Sequence, residues 1–238
     1  MKKGAIIGII IGVLVLVAIA GGVGYFVIND SMQKTKIMKT FAEIEELTKS
    51  GDFKMEELNE KTSNIVSSGK YAKVEKAAKN YASDLFGKAF EIRGLLQDEK
   101  LSQLLTASNY TADGPEFTES KKYLSETKQK LETGKTELLA YLEESKINSY
   151  IEAETTDSYC TELYKQLLTE DIEMSDAEKK QFETSIDKVV SMLEIEEEVL
   201  DFLIENKGKW QIQGEQVLFN SNSLVIKYNS FLTKLRML

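Results

Sequence analysis

The chain has 238 residues, with 39 acidic and 30 basic side chains, a formal net charge of −9, no histidine and one cysteine. An acidic surface repels a phosphate backbone, so nucleic acid is excluded as a partner. A single cysteine leaves no intrachain disulfide, and the commonest general acid–base side chain is absent.

Met1, Lys2 and Lys3 form a short charged tail, and Gly4 to Ile28 then run for 25 residues without a charge. As a helix that run measures about 37 Å, more than the roughly 30 Å of a hydrocarbon core. A cleaved secretory signal is the competing interpretation, with Ala18-Ile19-Ala20 as its small-residue site. Apolar character continues past Ala20 through Val23, Tyr25, Phe26, Val27 and Ile28, which cleavage would leave exposed to water. An uncleaved transmembrane signal-anchor over residues 4–28 is therefore expected. Cys160, the only cysteine, is far from the terminus, which excludes a lipoprotein.

Lys2 and Lys3 abut the span, whereas Lys34, Lys36 and Lys39 lie beyond it. The positive-inside head count nearly ties, and it is the charges abutting the span that put the amino terminus inside and residues 30–238 outside the cytoplasm in the expected topology. Gly4, Gly8 and Gly12 recur at every fourth position, a spacing that lets two membrane helices approach closely. Self-association through that stripe is a further expectation.

Beyond the span, Ile37, Phe41, Ile44 and Leu47 or Thr48 share one helical face, so the membrane helix continues outward. Ser50-Gly51-Asp52 supplies a stop, with Asp52 placed to cap the next helix. That short helix carries Met55, Leu58, Thr62 and Ile65 and ends at Ser67-Ser68-Gly69. A long third helix follows, with Val74, Ala78, Tyr81, Leu85, Ala89, Ile92 and Leu96 alternating by three and four. Gly87 and Gly94 lie within it, each costing about 1 kcal/mol relative to alanine. Close packing against a neighbour, or a bend, is their expected use.

Ser108 to Thr118 interrupts the helical pattern. Asn109, Thr111, Asp113 and Gly114 match the first, third, fifth and sixth places of a calcium loop, but the twelfth is Ser120 instead of the bidentate Glu such loops need. Pro115 is better explained as a first-turn proline of the fourth helix. Phe117, Leu124, Leu131 and Leu138 stand seven apart along that helix, with Leu142 beyond, a narrow apolar stripe.

Ser149 and Glu152 have capping-box spacing and open a fifth helix carrying Ile151, Tyr159, Cys160, Leu163 and Leu167. Cys160 fits there as a small core residue, since no histidine is present to activate it. Ser175 and Glu178 repeat the box before Phe182, Ile186, Val189, Leu193, Glu196, Leu200 and Leu203, a heptad seam broken only by Glu196. Glu196 either sits at a wet rim or pairs across the seam. Asn206-Lys207-Gly208 is the stop.

Trp210 and Ile212, a turn at Gly214, then Val217 and Phe219 specify a hairpin over 209–219 with Trp210 opposite Phe219. Ser221 to Ser223 cap a terminal helix over 222–236 with Leu224, Tyr228, Phe231, Leu232 and Leu235. The expected fold is all-α: an N-terminal transmembrane helix, then an elongated antiparallel helical bundle with a small C-terminal β-hairpin.

Residues 151–205 hold 17 acidic and four basic side chains, a net of −13, while 206–238 sum to +4. A solvated helix face accounts for the acidic block. Trp210, Phe219, Tyr228 and Phe231 form either a ligand pocket or, the favoured interpretation, a core that locks the terminus down. No metal-ligand spacing, phosphate-cradling loop or nucleophile elbow is present, so no cofactor, metal or catalytic residue is expected and the chain is not expected to be an enzyme. The expected function is a membrane-anchored, extracytoplasmic interaction or scaffold domain, with the lipid bilayer and a protein as its partners. The alternative is the ligand-binding subunit of a sensory or transport assembly, and a cell-wall-active enzyme ranks third.

Overall fold

The computed structural model describes residues 31–49, 54–168 and 175–238. Helices make up most of these residues: α1 Ser31–Lys49, α2 Met55–Ser63, α3 Lys70–Gln97, α4 Glu99–Gln103, α5 Ala107–Asp113, α6 Thr118–Tyr141, α7 Glu144–Glu154, α8 Ser158–Leu168, α9 Asp176–Glu205 and α10 Asn222–Met237. Between α9 and α10, β1 Trp210–Gln213 and β2 Gln216–Phe219 form an antiparallel ribbon. The expected span at 4–28, with Gly4, Gly8 and Gly12, lies outside the described residues, as does Ser50-Gly51-Asp52. No helix among the described residues is long and apolar enough to cross a membrane.

The chain divides into two compact units, each assembled from separate stretches of sequence. One contains the described residues up to Arg93 together with Gly134–Phe182, and the other contains Gly94–Thr133 and Glu183–Leu238. Arg93, Thr133 and Phe182 each fall inside a helix, namely α3, α6 and α9.

In the first unit, the predicted faces of α1 and α3 are the buried ones, while on α2 Leu58 and Thr62 are buried and Met55 is only half-buried. Ile37, Phe41, Ile44 and Thr48 of α1, Leu58 of α2, and Val74, Ala78, Tyr81 and Leu85 of α3 are all in the core. Buried phenols find hydrogen-bond partners, as buried tyrosines usually do: Tyr81 donates to the Tyr141 carbonyl, Tyr164 to that of Ile147, and the Tyr71 hydroxyl lies 3.3 Å from that of Tyr159. The Ser175–Glu178 capping box forms as expected. The Ser175 hydroxyl and N–H both donate to the Glu178 carboxylate, at 2.7 and 2.9 Å, and the Glu178 N–H donates back to Ser175 Oγ.

Two boundaries differ from expectation. α2 stops at Ser63, so Ile65 belongs to the connection and not to the helix. The reason is tertiary: Glu75 and Lys79, an ion pair at 2.6 Å with neither side chain exposed, seize the backbone beyond Ser63. Lys79 Nζ donates to the Asn64 carbonyl at 2.5 Å, and the Glu75 carboxylate accepts the N–H groups of Val66 and Ser67 and the Ser67 hydroxyl. The second difference is the fifth helix, which is two helices, α7 and α8. Ser149 is inside α7, its hydroxyl turned back to the Lys146 carbonyl, so it caps nothing. The break falls at Thr155-Thr156-Asp157, where the Thr155 hydroxyl accepts the Asp157 N–H and the Asp157 carboxylate accepts the Tyr159 N–H. Short polar side chains that bond nearby backbone in this way compete with helix. Tyr159 is exposed as a result, while Cys160 is buried as expected and burial pushes its thiol up.

The close helix approach is at Gly134, not at Gly87 or Gly94. A Cβ on Gly134 would lie 2.9 Å from Cγ1 of Ile92, whereas Gly94 has open space and Gly87 meets only a Met55 methyl at 4.0 Å. Gly134→Ala is expected to destabilise the protein by about 1–2 kcal/mol, because overpacking a helix contact outweighs the gain of about 1 kcal/mol in helix propensity. Gly94→Ala, with nothing to hit, should be neutral or stabilising. Urea midpoints measured on both variants check this, and a stabilised Gly134→Ala would refute the close approach.

In the second unit, Ser108 to Asp113 is helical and only 114–117 is a turn, so the expected interruption is much shorter. Pro115 precedes α6 and is not in its first turn. Asp113 is the cap, its carboxylate accepting the N–H groups of Ser120 at 2.7 Å and Glu119 at 3.2 Å. Burial pushes the Asp113 carboxyl up, but the Ser120 hydroxyl and these N–H donors outweigh it and hold the group below its usual value. Phe117 closes the turn at φ +50, an outlier for a bulky side chain, and is fully buried. Leu124 and Leu131 of α6 and Ile186, Val189, Leu193, Leu200 and Leu203 of α9 form the core. Trp210 pairs with Phe219, Gly214 takes the left-handed turn position, and Ser221 Oγ caps α10 by accepting the Leu224 N–H.

Candidate functional site

Two places could carry a function: the aromatic cluster of the second unit and a cleft in the first.

The four aromatics singled out from sequence do come together, through rings that sequence did not suggest. Trp210 stacks on Phe117 at 6.0 Å and meets the edge of Tyr110 at 6.3 Å. Phe219 packs on Phe202 and Tyr228, and Phe231 packs on Phe202 from the other side. Polar atoms in the cluster bond to protein. The indole N–H donates to the Leu203 carbonyl at 2.8 Å, an acceptor in the last turn of α9 that has no partner within the helix. The Tyr110 and Tyr228 hydroxyls lie 3.2 Å apart, and burial pushes both phenols above their ordinary range. Lys227 and Lys234 cover Phe231 with their ammonium groups at 4.8 and 5.5 Å. Rings in contact with polar atoms satisfied from within describe a core, which favours the locking role.

Glu196 is buried on the α9 seam, not at a wet rim. Its charge adds to burial in raising the phenols of Tyr110 and Tyr123. The calcium-like residues are engaged elsewhere. Asp113 caps α6, and the Asn109 amide donates to the Leu104 carbonyl and the Ser120 hydroxyl. Among the described residues no group of three His, Cys, Asp or Glu side chains is placed to hold a metal ion.

The cleft lies between α1 and α2 and has a volume of about 770 Å³. Lys36, Lys39 and Glu43 line it from α1, and Glu57, Glu60 and Lys61 from α2. Lys61 Nζ reaches Glu43 at 2.9 Å and ties the two walls together. That hydrogen bond, helped by the charges of Lys61, Lys39 and Lys79, holds the Glu43 carboxyl below its usual value. Ser63, Asn64 and Val66 close one end of the cleft, and the Glu75–Lys79 pair grips the backbone of the last two. Sequence pointed to no residue of this cleft as a site: Lys36 and Lys39 entered only the orientation argument, and Leu47 only a helical face. Its lysines and glutamates stand at helical spacing, which is also what a solvated face looks like.

Comparison with protein-family models, with curated proteins and with solved structures gives no match in any of the three.

Proposed function

We propose that this chain is a membrane-anchored, non-catalytic helical domain displayed outside the cytoplasm, where it binds a protein partner. The observation that carries the proposal is the 25-residue uncharged run ending at Ile28, followed at once by α1 from Ser31. The buried face of α1, Ile37, Phe41 and Ile44, makes the segment next to the run part of the folded unit. A domain joined this closely to a membrane span would be presented near the bilayer surface, which suits a binding role. The non-catalytic part is supported by where the charged groups go. Lys121–Asp201, Lys128–Glu197 and Lys88 with Glu91 and Glu137 are ion pairs between or along helices, as in a structural framework.

Protease added to intact, wall-stripped cells is expected to digest residues 30–238. Protection of the domain would reverse the orientation. A form released into the medium and starting near Gly21 would establish cleavage and remove the anchor.

A further inference from the structure

We propose that the cleft between α1 and α2 binds a small zwitterion, an amino acid or short peptide with its termini free. Each wall carries both signs, but Glu43 of α1 and Lys61 of α2 pair with each other across the gap, which leaves the remaining charges sorted by wall. Lys36 and Lys39 stand one turn apart on α1, and Glu57 and Glu60 stand one turn apart on α2. One wall thus offers two ammonium groups and the other two carboxylates. Among the described residues the walls are joined by Lys61 and Glu43, and not by these four. A ligand with a carboxylate at one end and an ammonium at the other meets both walls with charge-assisted hydrogen bonds. A simple anion or cation would face one repelling wall. The volume of about 770 Å³ falls within the range of small-ligand clefts and accommodates several residues of peptide.

The end of the cleft is built, not left over. Glu75 and Lys79 are both fully buried, and burying an ion pair is more costly than apolar packing of similar volume. The pair fixes the Asn64 carbonyl and the Val66 N–H at the end of the cleft. A connection that only had to join two helices would not need such a device. Preorganised walls are what a ligand site requires, since ordering them on binding would weaken affinity.

The test is calorimetric titration of the full chain in detergent micelles with tri-alanine. N-acetyl tri-alanine, tri-alanine amide and free alanine serve as the comparison ligands. Tri-alanine should bind saturably at one site, and blocking either terminus should weaken binding at least tenfold. Equal binding of alanine would identify a free amino acid as the occupant, and tighter tri-alanine a peptide. The variant Lys36→Gln with Lys39→Gln should lose the distinction between tri-alanine and its amide while keeping that against the acetylated form. Glu57→Gln with Glu60→Gln should show the reverse. All four positions are exposed, so the helical circular dichroism should not change. The proposal is overturned if neither tri-alanine nor alanine saturates at millimolar concentration, if blocked peptides bind as well as free ones, or if both double variants lose binding without the crossed pattern.

Discussion

Trp210→Ala is expected to cost about 3–5 kcal/mol, the usual range for truncating a large core aromatic. The indole is only half-buried, which favours the lower end of that range. Three losses combine. Phe117, fully buried, loses the ring stacked on it and with it a restraint on its left-handed backbone. The Leu203 carbonyl loses its donor at the end of α9. The ribbon, marginal by itself, loses the side chain that seats it. Trp210→Phe keeps most of the stacking and gives up the hydrogen bond, for about 1 kcal/mol. Because Trp210 is the chain's single tryptophan, unfolding has to be followed by far-ultraviolet circular dichroism in urea. A midpoint close to that of the parent, together with lost binding of the proposed partner, would make these rings a recognition surface.

The second large effect belongs to Glu75 and Lys79. Lys79→Met leaves a buried carboxylate without its cation, and Glu75→Gln leaves a buried ammonium, so each is expected to cost about 3–5 kcal/mol. Combining the two should cost less than their sum, since neither charge is then stranded. The pH dependence has a definite sign. Burial pushes the Glu75 carboxyl up, but Lys79, the Ser67 hydroxyl and the Val66 and Ser67 N–H groups together bring it below its ordinary 4.5. Stability from this group is therefore complete above pH 4.5 and is lost as pH falls through the lower, folded value. In Lys79→Met the loss should begin at higher pH. Urea midpoints recorded from neutral pH into the acid range on parent and variant test this, and parallel curves would count against it.

The parts of the fold legible in sequence are those set by local spacing. The buried faces of α1, α3 and α9, the Ser175–Glu178 box and the pairing of Trp210 with Phe219 each need only residues a few positions apart. What was hidden depends on partners far along the chain. The end of α2 is set by Glu75 and Lys79, which lie beyond the next turn of chain. Ser149 and Glu152 show that box spacing also occurs by chance within a helix. Gly134, not Gly87 or Gly94, meets a neighbour because helix rotation decides which glycine faces inward. The aromatic cluster was half visible: Phe202 sits beside the α9 seam, and Tyr110 lay in a stretch taken for an interruption. The cleft needed two helices placed side by side before its facing charges could be seen.

The two units share no clean seam at which to cut the chain. Their boundaries at Arg93, Thr133 and Phe182 fall inside α3, α6 and α9, whereas separable domains usually meet at linkers. Severing α6 there would part Leu131 from Leu138 within one apolar stripe and leave two raw helix ends. Deletion mapping, a usual first genetic dissection of a protein, is therefore expected to misreport this one. Removing either half is expected to abolish folding, which would make every surface look essential. Only side-chain exchanges on an intact backbone can assign a phenotype to a place.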